Sequence, residues 1–246
     1  LVSKWLKKAK CVVAITKSVY SEYRKIGIKE KNIYQIPNGV EIERFQKPLF
    51  SKLFLRKKYN ISKDAHIFLS VGRHHPKKNF IFLLKVAKIL RIKSKKKFIN
   101  IIIGKNVSYL QKLINKNNLS EFFLLIDEMP IKNVKKINFP SNELISLYFA
   151  SDTFVFPSLI ETFGIVLVEA MAAGLPVITF DSPGCRDIIR YGEDGLMIKK
   201  NNTIDFANAM IKCMLNKSVR KRLISKSLQR SKDFSSRPLI HSIFIF

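Results

Sequence analysis

Residues 154–180 constrain the fold more than any other segment, because they spell out a complete folding unit. A short apolar run at 154–156 is stopped by a proline, a compact apolar helix pattern covers 165–173, and a second apolar run covers 177–180. Gly174 follows the helix pattern, at the position where helices often end in a left-handed residue. Strand, helix and strand within so few residues predict a right-handed βαβ unit of a parallel sheet.

The loop between that first strand and the helix carries residues that suit a ligand. Glu161-Thr162-Phe163-Gly164 stands where the helix begins, and the first turn of a helix attracts anions through unpaired N–H groups and a partial positive charge. Gly164 lets a ligand approach the backbone closely. Glu169 lies inside the apolar helix, where a carboxylate is costly to bury without a partner. At this point Glu169 is either a ligand-binding carboxylate or a side chain that reaches the solvent edge.

The composition favours one large domain with a substantial core. The chain has 246 residues, of which 47% are hydrophobic, which suffices for one domain plus the remnant of another. The most apolar window, 160–180, contains two glutamates and is broken by Gly and Pro, so no membrane span is expected. The first ten residues lack both a signal-peptide pattern and an initiator Met, so we expect the chain to begin inside a longer protein. No metal-type spacing and no disulfide framework is found among the three cysteines, Cys11, Cys185 and Cys213.

The net charge of +27 indicates attraction to anionic partners. Three classes of anionic partner fit this charge: phosphorylated ligands, an anionic membrane surface and nucleic acid. The abundance of Lys, Ile, Asn and Phe points instead to compositional drift in an AT-rich coding sequence. We favour drift, followed by membrane-surface attraction. Nucleic acid is not expected, because the chain has no aromatic RNA-binding motif, zinc finger or helix-turn-helix pattern.

From His66 onward, strands and helices alternate regularly, which predicts a Rossmann-like α/β fold with a doubly wound parallel sheet. The predicted strands of this sheet are 67–72, 98–103, 122–126, 154–156, 177–180 and 196–198. The predicted helices are 80–92, 108–116, 142–151, 165–173, 186–190, 204–215 and 219–231. Asn79 is the expected N-cap of helix 80–92.

In sheets of this kind, ligands bind beyond the carboxyl ends of the strands. Arg73 and Lys78 follow the strand at 67–72, and 161–164 follow the strand at 154–156. The fork of Arg, the point charge of Lys and a helix N-terminus facing one crevice form a diphosphate site. A carboxylate such as Glu169 can accept two hydroxyls of a ribose, which leaves Glu161 for hydroxyls of a sugar.

Four segments carry a family resemblance: I-P-N-G-V-E at 36–41 with Phe45, V-G-R-H-H-P-K-K-N at 71–79, E-L-I-S-L-Y-F-A-S-D-T-F-V-F-P-S at 143–158, and E-T-F-G-I-V-L-V-E-A-M-A-A-G-L-P-V-I at 161–178. The last contains an E-x7-E pattern as Glu161 and Glu169. In these segments the sequence resembles the retaining GT-B glycosyltransferases of family 4, the group 1 type, which includes sucrose-phosphate and many lipopolysaccharide and capsule transferases.

The resemblance implies catalytic and donor-binding roles for the matched residues. Arg73 and Lys78 would hold the donor diphosphate and stabilise the leaving nucleotide. Glu161 would bind the donor sugar and Glu169 the ribose. The remaining implied donor-binding residues are Thr162, Phe163, Gly164 and Ile165. The implied reaction transfers a hexose from a nucleoside-diphosphate sugar to a saccharide or lipid-linked acceptor, with retention and without a metal or other cofactor.

The resemblance covers only the donor half of the GT-B fold. We therefore interpret residues 1–40 as a remnant of an N-terminal acceptor domain with its connector, 41–230 as the nucleotide-sugar-binding domain, and 231–246 as an atypical tail. The family usually has Gly where this chain has Asn79. The expected location is cytoplasmic, either free or peripheral at the inner face of the membrane. Two other functions stay open: a non-catalytic nucleotide-sugar-binding fragment or subunit that needs a separate acceptor-domain chain, and, ranked last, a basic nucleic-acid binder.

Overall fold

A computed structural model describes residues 5–127 and 140–236 of the chain. The strands in these ranges are β1 Val12–Ala14, β2 Ile33–Gln35, β3 His66–Val71, β4 Phe98–Ile103, β5 Phe123–Ile126, β6 Thr153–Phe156, β7 Val177–Phe180 and β8 Leu196–Ile198. The helices are α1 Lys17–Lys25, α2 Lys52–Lys58, α3 Ile81–Lys93, α4 Gln111–Lys116, α5 Asn142–Ala150, α6 Ile165–Ala172, α7 Pro183–Ile188, α8 Thr203–Leu215 and α9 Lys217–Ser231.

Six strands form one fully parallel sheet in the order β5-β4-β3-β6-β7-β8. This arrangement confirms the predicted doubly wound α/β fold, and β6, α6 and β7 are the predicted βαβ unit with its two strands paired in parallel. The chain builds outward from β3 on one side and from β6 on the other. The strand order therefore reverses between β3 and β6, and a crevice is expected beyond their carboxyl ends.

The central strands are buried because helices cover both faces of the sheet. All six residues of β3, and all four of β6 and of β7, are buried. Alternate side chains enter separate cores: Leu69 and Phe154 lie in one, Phe68 and Val155 in the other. Burial of each such side chain contributes about 1.5–3 kcal/mol, so the two cores hold the sheet rigid under the loops.

Two predicted helices start three residues away from their observed positions. The helix predicted at 186–190 is α7, which begins at Pro183, because proline fits the first turn of a helix where its missing N–H costs nothing. The helix predicted at 108–116 is shorter, since a 3₁₀ turn at Val107–Leu110 precedes α4.

Asn79 is not the N-cap of α3, so that prediction is wrong. The N-cap position belongs to Phe80, which makes no capping bond through its side chain. Asn79 instead adopts a left-handed backbone conformation, with φ 56° and ψ 35°. Gly enters this region freely and Asn more readily than most other residues. The backbone geometry thus explains why Asn79 can stand where the family resemblance expects Gly.

Residues 12–35 form a small unit of their own. β1 and β2 pair in parallel as a two-stranded sheet with a separate core that includes Val12, Ala14 and Ile33. This unit is tied to the large sheet at Asp187 of α7, whose carboxylate accepts from the Lys17 N–H at 3.2 Å and from the Ser18 hydroxyl at 3.1 Å. The domain boundaries at 40 and 230 stay predictions, and most of the tail predicted at 231–246 lies outside the described residues.

The left-handed backbone at Asn79 makes a prediction about stability. Asn79→Gly should leave the free energy of unfolding nearly unchanged, whereas Asn79→Ala should lower it by about 1 kcal/mol, because a Cβ without a compensating polar group disfavours this conformation. Urea denaturation of both variants beside the wild type measures the difference. Equal losses for Gly and Ala would contradict the backbone explanation.

Candidate active site

The carboxyl ends of β3 and β6 bring two oppositely charged side chains together at the reversal of strand order. Lys78 Nζ lies 2.5 Å from Glu161 Oε2, and the two side chains are only 22% and 14% exposed. The Lys78 ammonium also lies over the Phe156 ring, 4.9 Å from its centroid. The fold thus places a largely desolvated cation in the crevice, paired with a carboxylate.

Arg73 lies in the loop that directly follows β3, and its side chain is exposed. In residues 5–127 and 140–236, its guanidinium makes no hydrogen bond or ion pair. Arg73 therefore shares the carboxyl edge of the sheet with Lys78 and can turn toward an anion bound there.

The start of α6 forms the other side of the crevice. Gly164 is the N-cap residue in a left-handed conformation, with φ 79°, which Gly adopts without strain because it has no Cβ. Thr162 donates its N–H to Glu161 Oε1 at 3.2 Å, while Phe163 is buried edge-on against Phe234. The amides of Ile165 and of Val166 after it have no hydrogen-bond partner within the described ranges. These free donors and the helix dipole make the turn a place for an anion.

The loop that carries Glu161 packs against α7 and accepts a hydrogen bond from it. Gly184 donates its N–H to the Glu161 carbonyl at 3.2 Å. A Cβ at Gly184 would lie 2.3 Å from that same oxygen, so the two segments can be this close only because residue 184 is glycine. The position of Glu161 thus depends on packing between α7 and the loop after β6.

Glu169 is buried, so it does not reach the solvent edge. Its side chain accepts a hydrogen bond from the Tyr148 hydroxyl, with Oη 2.8 Å from Oε2, and the residue is 8% exposed. Burial raises the pKa of Glu169 to about 7, against the opposing effects of the Tyr148 hydrogen bond and the Arg44 charge. Burial, followed by the nearby Glu169, raises the pKa of Tyr148 well above its ordinary value. The carboxylate thus has a protein partner on one side.

A pocket of about 260 Å³ opens beside Glu169. It is lined by Gly39, Val40, Glu41, Arg44, Phe45, Pro140, Ile165, Glu169 and Ser236. Arg44 is anchored by donating to the Pro140 carbonyl at 2.6 Å. Because Ile165 begins α6, the pocket adjoins the helix start and hence the crevice. A carboxylate and a guanidinium on one small cavity suit a ligand that offers hydroxyl groups and hydrogen-bond acceptors.

Sequence reasoning missed Tyr148 and Arg44. The sequence could have indicated Tyr148, because a tyrosine on the buried face of an apolar helix needs a hydrogen-bond partner for its hydroxyl. No sequence pattern indicates Arg44, since its hydrogen bond to Pro140 spans 96 positions of sequence.

The described ranges contain neither a metal-binding cluster nor a helix that could span a membrane. In residues 5–127 and 140–236, no group of three or more His, Cys, Asp or Glu side chains could hold a metal ion. In the same part of the chain, no helix combines the length and the apolar character needed to cross a membrane.

The sequence model of the family "Glycosyl transferases group 1" matches residues 51–230. An Escherichia coli relative, UDP-Gal:alpha-D-GlcNAc-diphosphoundecaprenol alpha-1,3-galactosyltransferase, is 28% identical over 236 residues, covering 86% of this chain and 54% of that protein. An uncharacterized glycosyltransferase from Methanocaldococcus jannaschii is 30% identical over 260 residues, covering 91% and 59%. The chain thus spans about half the length of the curated relatives that it matches.

Solved structures share the fold at low identity. Anabaena HepE, crystallised in complex with UDP and glucose, matches with a TM-score of 0.84 at 18% identity, covering 98% of this chain and 64% of that one. A glycosyltransferase from Rickettsia africae matches with a TM-score of 0.83 at 20% identity, covering 98% and 65%. At such identities the matches establish the fold alone.

The buried Glu169 predicts a pH-dependent stability difference. Its pKa is about 7 in the folded chain and 4.5 as the ordinary value, so the stability it contributes is complete below pH 4.5 and is lost as the pH rises through about 7. Glu169→Gln removes the titration and keeps an oxygen that can accept from Tyr148. The variant should therefore gain stability relative to wild type from about pH 4 to about pH 8, by at most about 3 kcal/mol.

Urea unfolding of wild type and Glu169→Gln at several pH values measures this gain. Because all other titrating groups are common to both proteins, their contributions cancel in the difference. A stability difference that does not change with pH would show that Glu169 is solvated in the folded chain.

Proposed function

The chain belongs to the glycosyl transferases group 1 family, and from that premise we propose that it is the donor-binding part of a hexosyltransferase that uses a nucleoside-diphosphate sugar. The observation that carries the proposal is the pairing of Lys78 with Glu161 at 2.5 Å, at the reversal of strand order and beside the start of α6. The pair places a cation for phosphate next to an acceptor for sugar hydroxyls.

The charge of the site supports a diphosphate as the central group of the donor. Lys78, the exposed Arg73 and the free amides at the start of α6 supply positive potential from three directions. A relative is named for UDP-Gal, and a structure with the same fold was crystallised with UDP and glucose. A UDP-hexose is therefore the donor to test first.

The proposed chemistry starts with an exchange of partners at Lys78. A donor phosphate competes with Glu161 for the ammonium, and the carboxylate then accepts hydroxyls of the hexose. As the bond between sugar and phosphate breaks, Lys78 and Arg73 stabilise the negative charge on the leaving diphosphate. Thr162, Phe163, Gly164 and Ile165 support the phosphates through their backbone, and Glu169 accepts hydroxyls of the ribose. We assign retention of the anomeric configuration on the family resemblance.

We propose that the reaction does not depend on a metal ion. The two cations and the start of α6 provide the charge that a divalent ion would otherwise supply to the diphosphate. Donor binding should therefore persist in excess chelator. Restoration of lost binding by added Mg²⁺ or Mn²⁺ would contradict this part of the proposal.

The acceptor half is proposed to come from residues outside this sequence or from a separate chain. We assign the family match and the site to the donor side on the family resemblance, and the chain covers 54% of its E. coli relative. The acceptor class that we propose is a saccharide or a lipid-linked saccharide, since that relative is named for a sugar on diphosphoundecaprenol. A lipid-linked acceptor would place the protein in the cytoplasm, at the inner face of the membrane.

The second candidate is a nucleotide-sugar-binding fragment or subunit without transfer activity of its own. The partial coverage of the relatives favours it. Both candidates predict donor binding, and they differ in turnover. Release of UDP from UDP-hexose by the 246-residue chain alone would refute the non-catalytic candidate. If only a longer protein, which also contains the residues encoded upstream of Leu1, turned over the donor, the active site would be divided between the two parts.

Substitution at the proposed site should weaken donor binding selectively. Lys78→Ala and Glu169→Ala should each raise the Kd for a UDP-hexose by about 10- to 100-fold, because each removes charge-assisted hydrogen bonds of about 1.5–3 kcal/mol. Lys77→Ala is the matched control, since Lys77 is an exposed lysine of the same turn. Isothermal titration calorimetry measures all three. Unchanged affinity in both site variants would refute the assignment.

Substitution of Glu161 should affect binding of the sugar more than binding of the nucleotide. Glu161→Gln keeps the shape of the side chain but weakens its acceptance of hexose hydroxyls, so it should lower the affinity for UDP-hexose more than the affinity for UDP. Calorimetry with both ligands gives the ratio of the two losses. Equal losses would mean that Glu161 acts only by positioning Lys78.

A further inference from the structure

An exposed apolar surface lies at the start of α2, away from the crevice. Leu49, Leu53 and Phe54 are 66%, 64% and 50% exposed. Phe50 is half-buried at the edge of one core and stacks on Phe54, with ring centroids 5.3 Å apart, so side chains four positions apart are adjacent here. We refer to Leu49, Phe50, Leu53 and Phe54 as the α2 patch. Large apolar side chains grouped in this way, with polar residues around them, typically mark an interaction surface.

Basic residues flank the α2 patch in sequence. Residues 44–63 contain seven Lys and Arg residues and no Asp or Glu. Lys52 pairs with Asp152, and Lys58 pairs with Glu143 of α5. Lys47 and Lys57, by contrast, are exposed and have no ion-pair partner in the described ranges. Apolar side chains with unneutralised lysines beside them match the interface of an anionic bilayer, where lysine heads meet headgroups and apolar side chains enter the acyl boundary.

Two features of the surface favour a bilayer over a protein. The patch projects from the beginning of a helix, whereas a docked peptide or helix usually needs a groove. A second copy would bring the same basic rim and the same net charge of +27, so like charges would oppose association. An extended anionic surface meets neither obstacle.

The fold separates the patch from the donor crevice. Lys52 at the start of α2 pairs with Asp152, which immediately precedes β6, at the amino edge of the sheet. Lys78 and Glu161 meet at the opposite, carboxyl edge. A molecule held by the α2 patch would therefore keep its crevice away from the lipid and open to a donor from solution.

We propose that the α2 patch inserts into the interface of anionic membranes and holds the chain there as a peripheral protein. The proposal does not depend on the donor chemistry, because it requires no nucleotide sugar. Compositional charge alone would instead give electrostatic adsorption with no requirement for the apolar side chains.

Vesicle co-sedimentation of the 246-residue chain distinguishes insertion from adsorption. The vesicles are phosphatidylcholine with about 30% phosphatidylglycerol, compared with phosphatidylcholine alone. The variant Leu49→Ser/Leu53→Ser/Phe54→Ser should lose about tenfold or more in partition to the anionic vesicles. The matched control, Ile92→Ser/Ile204→Ser/Leu215→Ser, removes three other exposed apolar side chains and should bind like wild type. Circular dichroism confirms that both variants fold.

Equal binding by wild type and both variants would overturn the proposal, because charge alone would then suffice. Absence of wild-type binding to anionic vesicles would also overturn it. Light scattering provides a further check: a wild-type dimer that the patch variant converts to monomer would mean that the surface is an interface between copies.

A fluorescence measurement tests insertion directly. Trp5 is the sole tryptophan, so Trp5→Phe/Leu53→Trp carries one reporter in the patch. Its emission should shift to shorter wavelength with anionic vesicles and stay unchanged with neutral ones. An unchanged emission in the presence of bound anionic vesicles would place Leu53 outside the bilayer and refute insertion.

Discussion

The reversal of strand order between β3 and β6 is the constraint on which the candidate site depends. Because the sheet is parallel, both strands end at the same edge, and their loops leave toward opposite faces. The crevice between those loops is therefore a product of topology. Lys78 and Glu161 are 83 positions apart in sequence and meet there at 2.5 Å. Two buried cores hold the strands beneath, so the geometry of the pair is set before any ligand arrives.

Charge burial distinguishes this edge from an ordinary solvated surface. The Lys78–Glu161 pair is largely desolvated, and Glu169 lies buried against Tyr148. Removing such groups from water costs free energy that their mutual attraction only partly returns, so buried ionic groups are poor devices for stability alone. Their presence at this edge supports the proposed ligand, which carries both phosphates and hydroxyls. Fixed charges in a crevice of low dielectric stabilise a developing negative charge without having to reorganise.

Sequence patterns located the sheet well, because parallel strands buried on both faces read as short apolar runs between turns. The strands β4, β7 and β8 have the predicted bounds. The errors fall where the backbone is irregular. Asn79 takes a left-handed conformation instead of capping α3, and α7 starts at Pro183, three residues before the predicted helix. For the site, the sequence supplied the residue types and the edge at which they lie, whereas Tyr148 and Arg44 entered only through long-range contacts.

By itself, the sequence determined the fold class, the family resemblance and the set of residues that reach one edge of the sheet. These follow from local information: apolar periodicity, turn residues, and polar side chains placed after strands. Tertiary structure decided which of them touch. It paired Lys78 with Glu161, gave Glu169 a hydroxyl partner and a pocket, and left the α2 patch uncovered. Distances, burial and the resulting pKa of Glu169 depend on atoms that are far apart in sequence, and only packing of the folded chain brings them together.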